Sequence, residues 1–125
     1  MSQSLLSPVN ERHLARCVEQ AASHQTRALA WLREARDPGS PLSPARRRAL
    51  LLLALEHLLL ARHLLQRARK LSCEATLLAQ LGEHLARLAD IVASTERRLQ
   101  ELALLGDAVD AAAPLPPAQA ARMRD

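Results

Sequence analysis

Three side chains in the first third of the sequence have the spacing of metal ligands. His13, Cys17 and His24 follow one another at intervals of four and seven residues, so on a helix they share one face. Imidazole and thiolate groups one helical turn apart can chelate a borderline divalent ion. Their alternative role is structural, with Cys17 as a small core residue and the histidines at the core's edge. No Glu-x-x-His pair recurs on two helices, so we favour the structural role and expect neither metal nor cofactor.

The run Arg46-Arg47-Arg48 is the second unusual feature of the sequence. It follows Ser43-Pro44, which predicts the start of a helix, and three cations in a first turn oppose the helix dipole. Guanidinium groups bind carboxylates and phosphates well. We therefore predict a partner-binding site at these arginines. The alternatives are a solvated helix start and intramolecular pairing with Glu101 or Asp107.

Signatures of catalysis are missing from the sequence. There is no glycine-rich phosphate loop, no nucleophile elbow, no HExxH and no CxxC. Three glycines in the whole chain leave little material for a backbone phosphate cradle, and Glu56 has no acidic neighbour with which to form an acid/base pair. We expect a protein that is not an enzyme.

Nucleic-acid binding is the other function that the basic residues suggest. A second basic cluster, Arg67, Arg69 and Lys70, follows the arginine run at a distance of about 30 Å if both lie on one helix. The two clusters therefore cannot form one compact patch. Trp31 is the sole aromatic residue among Phe, Trp and Tyr, so a stacking platform for bases is lacking. Nucleic acid is thus a less favoured partner, and an anionic surface belongs to the same alternative.

The composition predicts an all-helical protein. Leucine and alanine make up 51 of the 125 residues, whereas valine, isoleucine and threonine total 8. Residues that favour β-strands are therefore scarce. The first twelve residues lack the basic and apolar segments of a secretory signal, and only two cysteines are present, so we expect a cytoplasmic protein, with a nuclear location as the alternative.

Prolines and glycines divide the chain into three helical segments. Ser-Pro pairs at residues 7–8 and 43–44 combine a capping side chain with a proline at the first helical position, and Gly106 lies where a C-terminal cap is expected. We predict helices over about residues 8–36, 44–70 and 73–105, within one bundle of residues 8–106. Residues 1–7 are expected to form a flexible N-terminus, and the Ala/Pro-rich residues 107–125 a disordered tail.

The break between the second and third helices is predicted from charge. Cations at residues 67–70 suit a last turn, and Ser72 could cap a new helix with Glu74 in its first turn. A break at Gly82 and a single continuous helix are the alternatives. The third helix carries apolar or small residues in steps of three and four, which is typical of a coiled-coil seam: Leu78, Leu81, Leu85, Leu88, Val92, Thr95, Leu99 and Leu102.

Three helices of similar length with short connections predict an antiparallel, up-down-up bundle. With Trp31-Leu32 late in the first helix and leucines late in the third, the arrangement is similar in architecture to spectrin-type repeats. The resemblance does not extend to functional residues.

The leucines of the second helix are too many for one buried face. The stretch Ala49–Leu65 is apolar around most of its circumference, yet it contains Glu56, His57, Arg62 and His63, so we do not expect it to cross a membrane. Leucines that the neighbouring helices leave bare would form an apolar patch, and such patches mark partner sites. We therefore predict a helical interaction module, such as a complex subunit, adaptor or chaperone, whose partner is a helical protein or a second copy.

Overall fold

The structure is a computed structural model, and it describes residues 8–39 and 41–112, with side chains from 10 to 105. It contains three helices: α1 Pro8–Arg36, α2 Pro44–Leu71 and α3 Ala75–Ala112. No strand occurs in these ranges, so the all-helical prediction is confirmed. The predictions for residues 1–7 and 113–125 lie outside the described residues.

The start of α2 is fixed by the cap that the sequence predicts. Ser43 has an extended backbone, and its Oγ accepts a hydrogen bond from the backbone N–H of Arg46 at 3.1 Å. Pro44 occupies the first helical position, where its missing N–H costs nothing. α1 coincides with the predicted span, and α2 ends one residue later than predicted.

The break between α2 and α3 lies at residues 72–74, close to the position predicted from charge, and Gly82 lies within α3. Ser72, however, ends α2 instead of capping α3, because its backbone N–H bonds to the carbonyl of Ala68 at 3.1 Å. The Oγ of Ser72 accepts from the N–H of Glu74 at 3.2 Å. Since the Glu74 carbonyl accepts from Leu78 at 2.9 Å, Glu74 itself precedes the first turn of α3.

The predicted end of α3 at Gly106 is not observed, because the helix continues to Ala112. A glycine inside a helix costs about 1 kcal/mol relative to alanine, which weakens the helix without forbidding it, and the alanines that follow favour helix. The nearest residue able to forbid a helix is Pro114, two positions beyond the last helical residue. The first six residues of the predicted disordered tail are therefore helical.

Small residues dominate the buried face between α1 and α2. Alanines are buried at intervals of seven on both helices, at residues 21, 28 and 35 and at residues 54, 61 and 68. Leu51, Leu58 and Leu65 form a second buried row on α2, also at intervals of seven. Small side chains let two helix backbones come close together, and the backbones of α1 and α2 are in more extensive contact than those of α2 and α3.

The predicted seam of α3 faces inward along its length. Leu81, Leu88 and Val92 are buried, and Leu85 is half-buried instead of fully buried as the seam implies. Thr95 is fully buried, and its Oγ1 donates to the carbonyl of Ile91 at 2.8 Å, which satisfies the hydroxyl within its own helix. Helix α2 makes the main contacts between helices, with α1 and with α3.

Candidate functional site

The outer face of α2 exposes three leucines. Leu52 is 47% exposed, and Leu53 and Leu60 are each 41% exposed. They lie on the side of α2 that the buried Leu51–Leu58–Leu65 row leaves free, because α1 and α3 together cover only part of the circumference. We call Leu52, Leu53 and Leu60 the outer leucines. Their exposure agrees with the apolar surplus read from the sequence.

A groove of about 650 Å³ lies between the start of α2 and the second half of α3, and of the outer leucines Leu52 lines it. Its lining combines apolar side chains with charges of both signs. The lining residues are Arg48, Leu52, Ala93, Glu96, Arg97, Leu99, Gln100 and Ala103.

The three arginines at the start of α2 have different environments. The Arg47 guanidinium donates from Nη1 to the carbonyl of Ala35 at 2.6 Å and from Nη2 to the carbonyl of Asp37 at 3.4 Å. These carbonyls belong to the end of α1 and the residue after it, where intrahelical donors run out. Arg47 therefore caps α1. Arg47 thus makes intramolecular contacts with backbone carbonyls at the end of α1. The pairing with Glu101 or Asp107 stays a prediction, and the Asp107 side chain lies outside the described residues.

Arg46 and Arg48 are exposed, so of the predicted docking run these two present their side chains to solvent. At the other end of α2, Arg67 donates from Nη2 to Nε2 of His13 at 3.2 Å. Arg69 and Lys70 lie exposed in the last turn, where cations complement the helix dipole.

The three candidate metal ligands do not form a site together. Cys17 is buried in the core, His13 faces Arg67, and His24 faces α2. Across the described residues, no three His, Cys, Asp or Glu side chains form a group able to hold a metal ion. The three residues lie on one face of α1, as predicted, and that face packs against α2. Cys17 is buried in this contact, whereas His13 lies near the exposed end of α1.

Two histidines meet at the centre of the α1–α2 contact. Nδ1 of His24 lies 2.8 Å from Nδ1 of His57, so one ring donates its proton to the other, and the ring centroids are 4.9 Å apart. Trp31 packs edge-on against His57 with a centroid distance of 4.9 Å. Burial lowers the pKa of His24 below 6.5, and the neighbouring His57 and Arg27 lower it further. We call His24 and His57 the histidine pair.

A third histidine joins α3 to α1. His84 donates from Nε2 to Oε1 of Gln25 at 2.5 Å. Burial, with a smaller contribution from Arg87, lowers the pKa of this imidazole below 6.5.

Sequence reasoning did not find His57 as the partner of His24, although a signal was present. Each histidine stands in the same pattern, Ala-x-x-His-x-x-x-Ala, at residues 21–28 and 54–61. Because both alanines of each pattern are buried, the intervening histidine lies at the edge of the same contact on either helix.

One helix in the described part of the chain, Pro44–Leu71, is long and apolar enough to cross a membrane by length and composition alone. A core helix of a soluble protein meets the same criterion, so this observation is weak evidence for a membrane span. Comparison of the chain with models of protein families, with curated proteins and with solved structures gave no significant match.

Proposed function

We propose that the protein is a non-enzymatic helical interaction module, a small complex subunit, adaptor or chaperone that docks on helices of a partner. The observation that carries this proposal is the exposure of Leu52, Leu53 and Leu60 on one face of α2. Solvent-exposed leucines on a helix that is already packed on its inner side add nothing to the fold, whereas they provide anchors at helical spacing for a partner.

The docking surface that we propose combines the outer leucines with the groove between α2 and α3. Arg48 lines this groove and Arg46 lies two residues before it, so acidic side chains on the partner would face these cations. Leu104 and Leu105 on α3 are 66% and 57% exposed and are further bare leucines of the described bundle.

The architecture that we propose for the module is an antiparallel up-down-up bundle with a coiled-coil-like α3. Contacts between α1 and α2 support it, because residues 13, 24 and 35 of α1 meet residues 67, 57 and 47 of α2 in reverse order. The hydrogen bond from His84 to Gln25 adds the contact between α1 and α3 that such a bundle needs.

Site-specific crosslinking tests the docking surface. A photoreactive residue at position 53 or 60 of the full chain should crosslink a partner protein in native lysate, or a second copy of the chain. The same residue at the exposed position of Gln20 on α1 serves as the control site. Equal crosslinking from both helices would contradict a docking face on α2.

Charge substitution provides the matched comparison. Leu53→Glu together with Leu60→Glu should abolish the crosslinked complex, because a charge buried in an apolar contact is costly. Gln66→Glu places the same carboxylate on an exposed part of the same helix and should leave the complex intact. A complex that survives the double substitution would refute the proposal.

Binding to an anionic surface is the second candidate function. The helix α2 carries exposed cations at both ends, Arg46 and Arg48 at one and Arg69 and Lys70 at the other, with the outer leucines between them. Flotation with phosphatidylcholine vesicles that contain phosphatidylserine would detect such binding, and its loss in high salt would identify an electrostatic contribution. Binding to duplex DNA is the parallel test for nucleic acid.

The proposed location is the cytoplasm or nucleus. Cys17 and Cys73 are both free thiols, one buried and one exposed, which suits a reducing compartment. Fractionation of cells that produce the tagged chain would test this location.

A further inference from the structure

We propose that the histidine pair is a binding site for a divalent transition-metal ion of tetragonal preference, Ni²⁺ or Cu²⁺, which would join α1 to α2. Neutral imidazole nitrogens are common ligands for these ions. His24 and His57 come from different helices, and their Nδ1 atoms already point at each other across 2.8 Å. A metal ion would replace the hydrogen bond between the two Nδ1 atoms and would lie to one side of the line that joins them. The proton on Nδ1 of the donor ring would move to Nε2 of the same ring.

The distance between the two nitrogens favours one metal geometry over another. Two nitrogen ligands about 2.0 Å from a metal lie about 2.8 Å apart when they subtend 90°, and about 3.3 Å apart in a tetrahedron. The observed 2.8 Å therefore matches the separation of adjacent ligands on a tetragonal ion, and each ring would have to turn to direct its Nδ1 lone pair at the ion. Tetrahedral Zn²⁺ would require the rings to separate by about 0.5 Å.

The surroundings of the pair set the expected strength of the site. Both rings are half-buried, so water can complete the coordination shell, and the pair supplies two protein ligands. Arg27, whose charge disfavours a proton on His24, also disfavours a bound cation. We expect a modest affinity that rises when Arg27 is replaced by glutamine.

Trp31 makes the site directly observable. It is the sole tryptophan of a chain that contains no tyrosine or phenylalanine, and it packs against His57. An open-shell ion such as Ni²⁺ bound to His57 should quench its fluorescence, whereas Zn²⁺, with a closed shell, should act only as a competitor.

Titration of the full chain with NiCl₂ tests the proposal, in a Cys73→Ser background that removes the exposed thiol. We expect saturable quenching of Trp31 and matching uptake of one Ni²⁺ by equilibrium dialysis. His24→Gln and His57→Gln should each weaken binding by about tenfold or more, since changes in the second shell of metal sites already cost 10–100-fold. His63→Gln, at an exposed position of the same helix, should change the affinity by less than about twofold.

Circular dichroism of each glutamine variant checks that it retains the helicity of the parent chain, so that a loss of binding is not a loss of folding. Dialysis measures binding even if a substitution alters the packing of Trp31. The proposal would be overturned if His24→Gln and His57→Gln bound Ni²⁺ as well as the control variant His63→Gln. It would also be overturned if His63→Gln weakened binding as much as the other two variants. Tighter binding of Zn²⁺ than of Ni²⁺ would overturn the tetragonal geometry.

Discussion

The two faces of α2 use the same residue types for different purposes. On the inner face Leu58 is fully buried and Arg47 caps the end of α1. On the outer face Leu60 is 41% exposed and Arg48 lines an open groove. Leu58 and Leu60 are two residues apart, and Arg47 and Arg48 are adjacent. Residue type and local helix propensity therefore do not distinguish the two faces. The direction in which each side chain leaves the helix decides its role.

The arginine run illustrates how a neighbouring helix changes the effect of a charged side chain. Cations in a first turn oppose the dipole of their own helix. The start of α2, however, lies beside the end of α1, whose unpaired carbonyls carry the opposite partial charge. Arg47 is therefore unfavourable for α2 and favourable for α1. A rule that considers one helix at a time cannot detect this compensation.

Truncation of the buried leucine should have the largest effect. Leu58→Ala is expected to lower the free energy of unfolding by about 2–5 kcal/mol, because it removes a fully buried side chain and leaves a cavity. Leu60→Ala should change it by less than about 0.5 kcal/mol. Chemical denaturation of both variants measures the difference. Similar losses would mean that the outer face is also part of the core.

The arginine pair should show a smaller contrast of the same kind. Arg47→Gln is expected to destabilise the fold by about 1–2 kcal/mol, because a charge-assisted bond to a helix-terminal carbonyl is lost. Arg48→Gln should leave stability unchanged or raise it by up to about 1 kcal/mol, since an unfavourable dipole contact disappears. Thermal denaturation of the two single variants distinguishes these outcomes. Equal effects would show that Arg47 does not cap α1.

Acidification should weaken the contacts that His24 and His84 make between helices, the first of them on the inner face of α2. The pKa values of His24 and His84 are lowered in the folded chain, so below about pH 6.5 the unfolded chain binds more protons than the folded one. The free energy of unfolding should therefore be constant above that pH and fall as the pH drops below it. His24→Gln should reduce the slope, whereas substitution of the exposed His63 should preserve it. Denaturation at a series of pH values between 5 and 8 provides the measurement, and a stability that rises on acidification would contradict the lowered pKa values.

Local signals predicted much of the fold. Pro44 after Ser43 marked the start of α2, and the cations before Ser72 marked its end, because caps and dipole contacts involve residues that are neighbours in sequence. The end of α3 predicted at Gly106 was wrong, since a single glycine only weakens a helix that its neighbours favour.

The site residues depended on tertiary contacts and were harder to predict. The sequence indicates His24 as a partner of Cys17 on its own helix, because spacing within one helix can be read from sequence. The residue that faces it from the opposing helix cannot be read in this way. Exposure of leucines on α2 was foreseen from their number. Which leucines remain bare could not be foreseen, since that depends on the angles at which α1 and α3 cover the helix.

The alanine rows between α1 and α2 have a consequence for how the two helices find their correct alignment. Because buried alanines recur every seven residues on both helices, sliding α1 by one heptad places alanine against alanine again. Apolar packing alone therefore discriminates weakly between pairing registers. A slide of that size moves each residue by about 10 Å, which would separate His24 from His57 and Arg47 from the Ala35 carbonyl. These polar contacts, with the short connection between the helices, set the register, as a single buried polar residue does in a coiled coil.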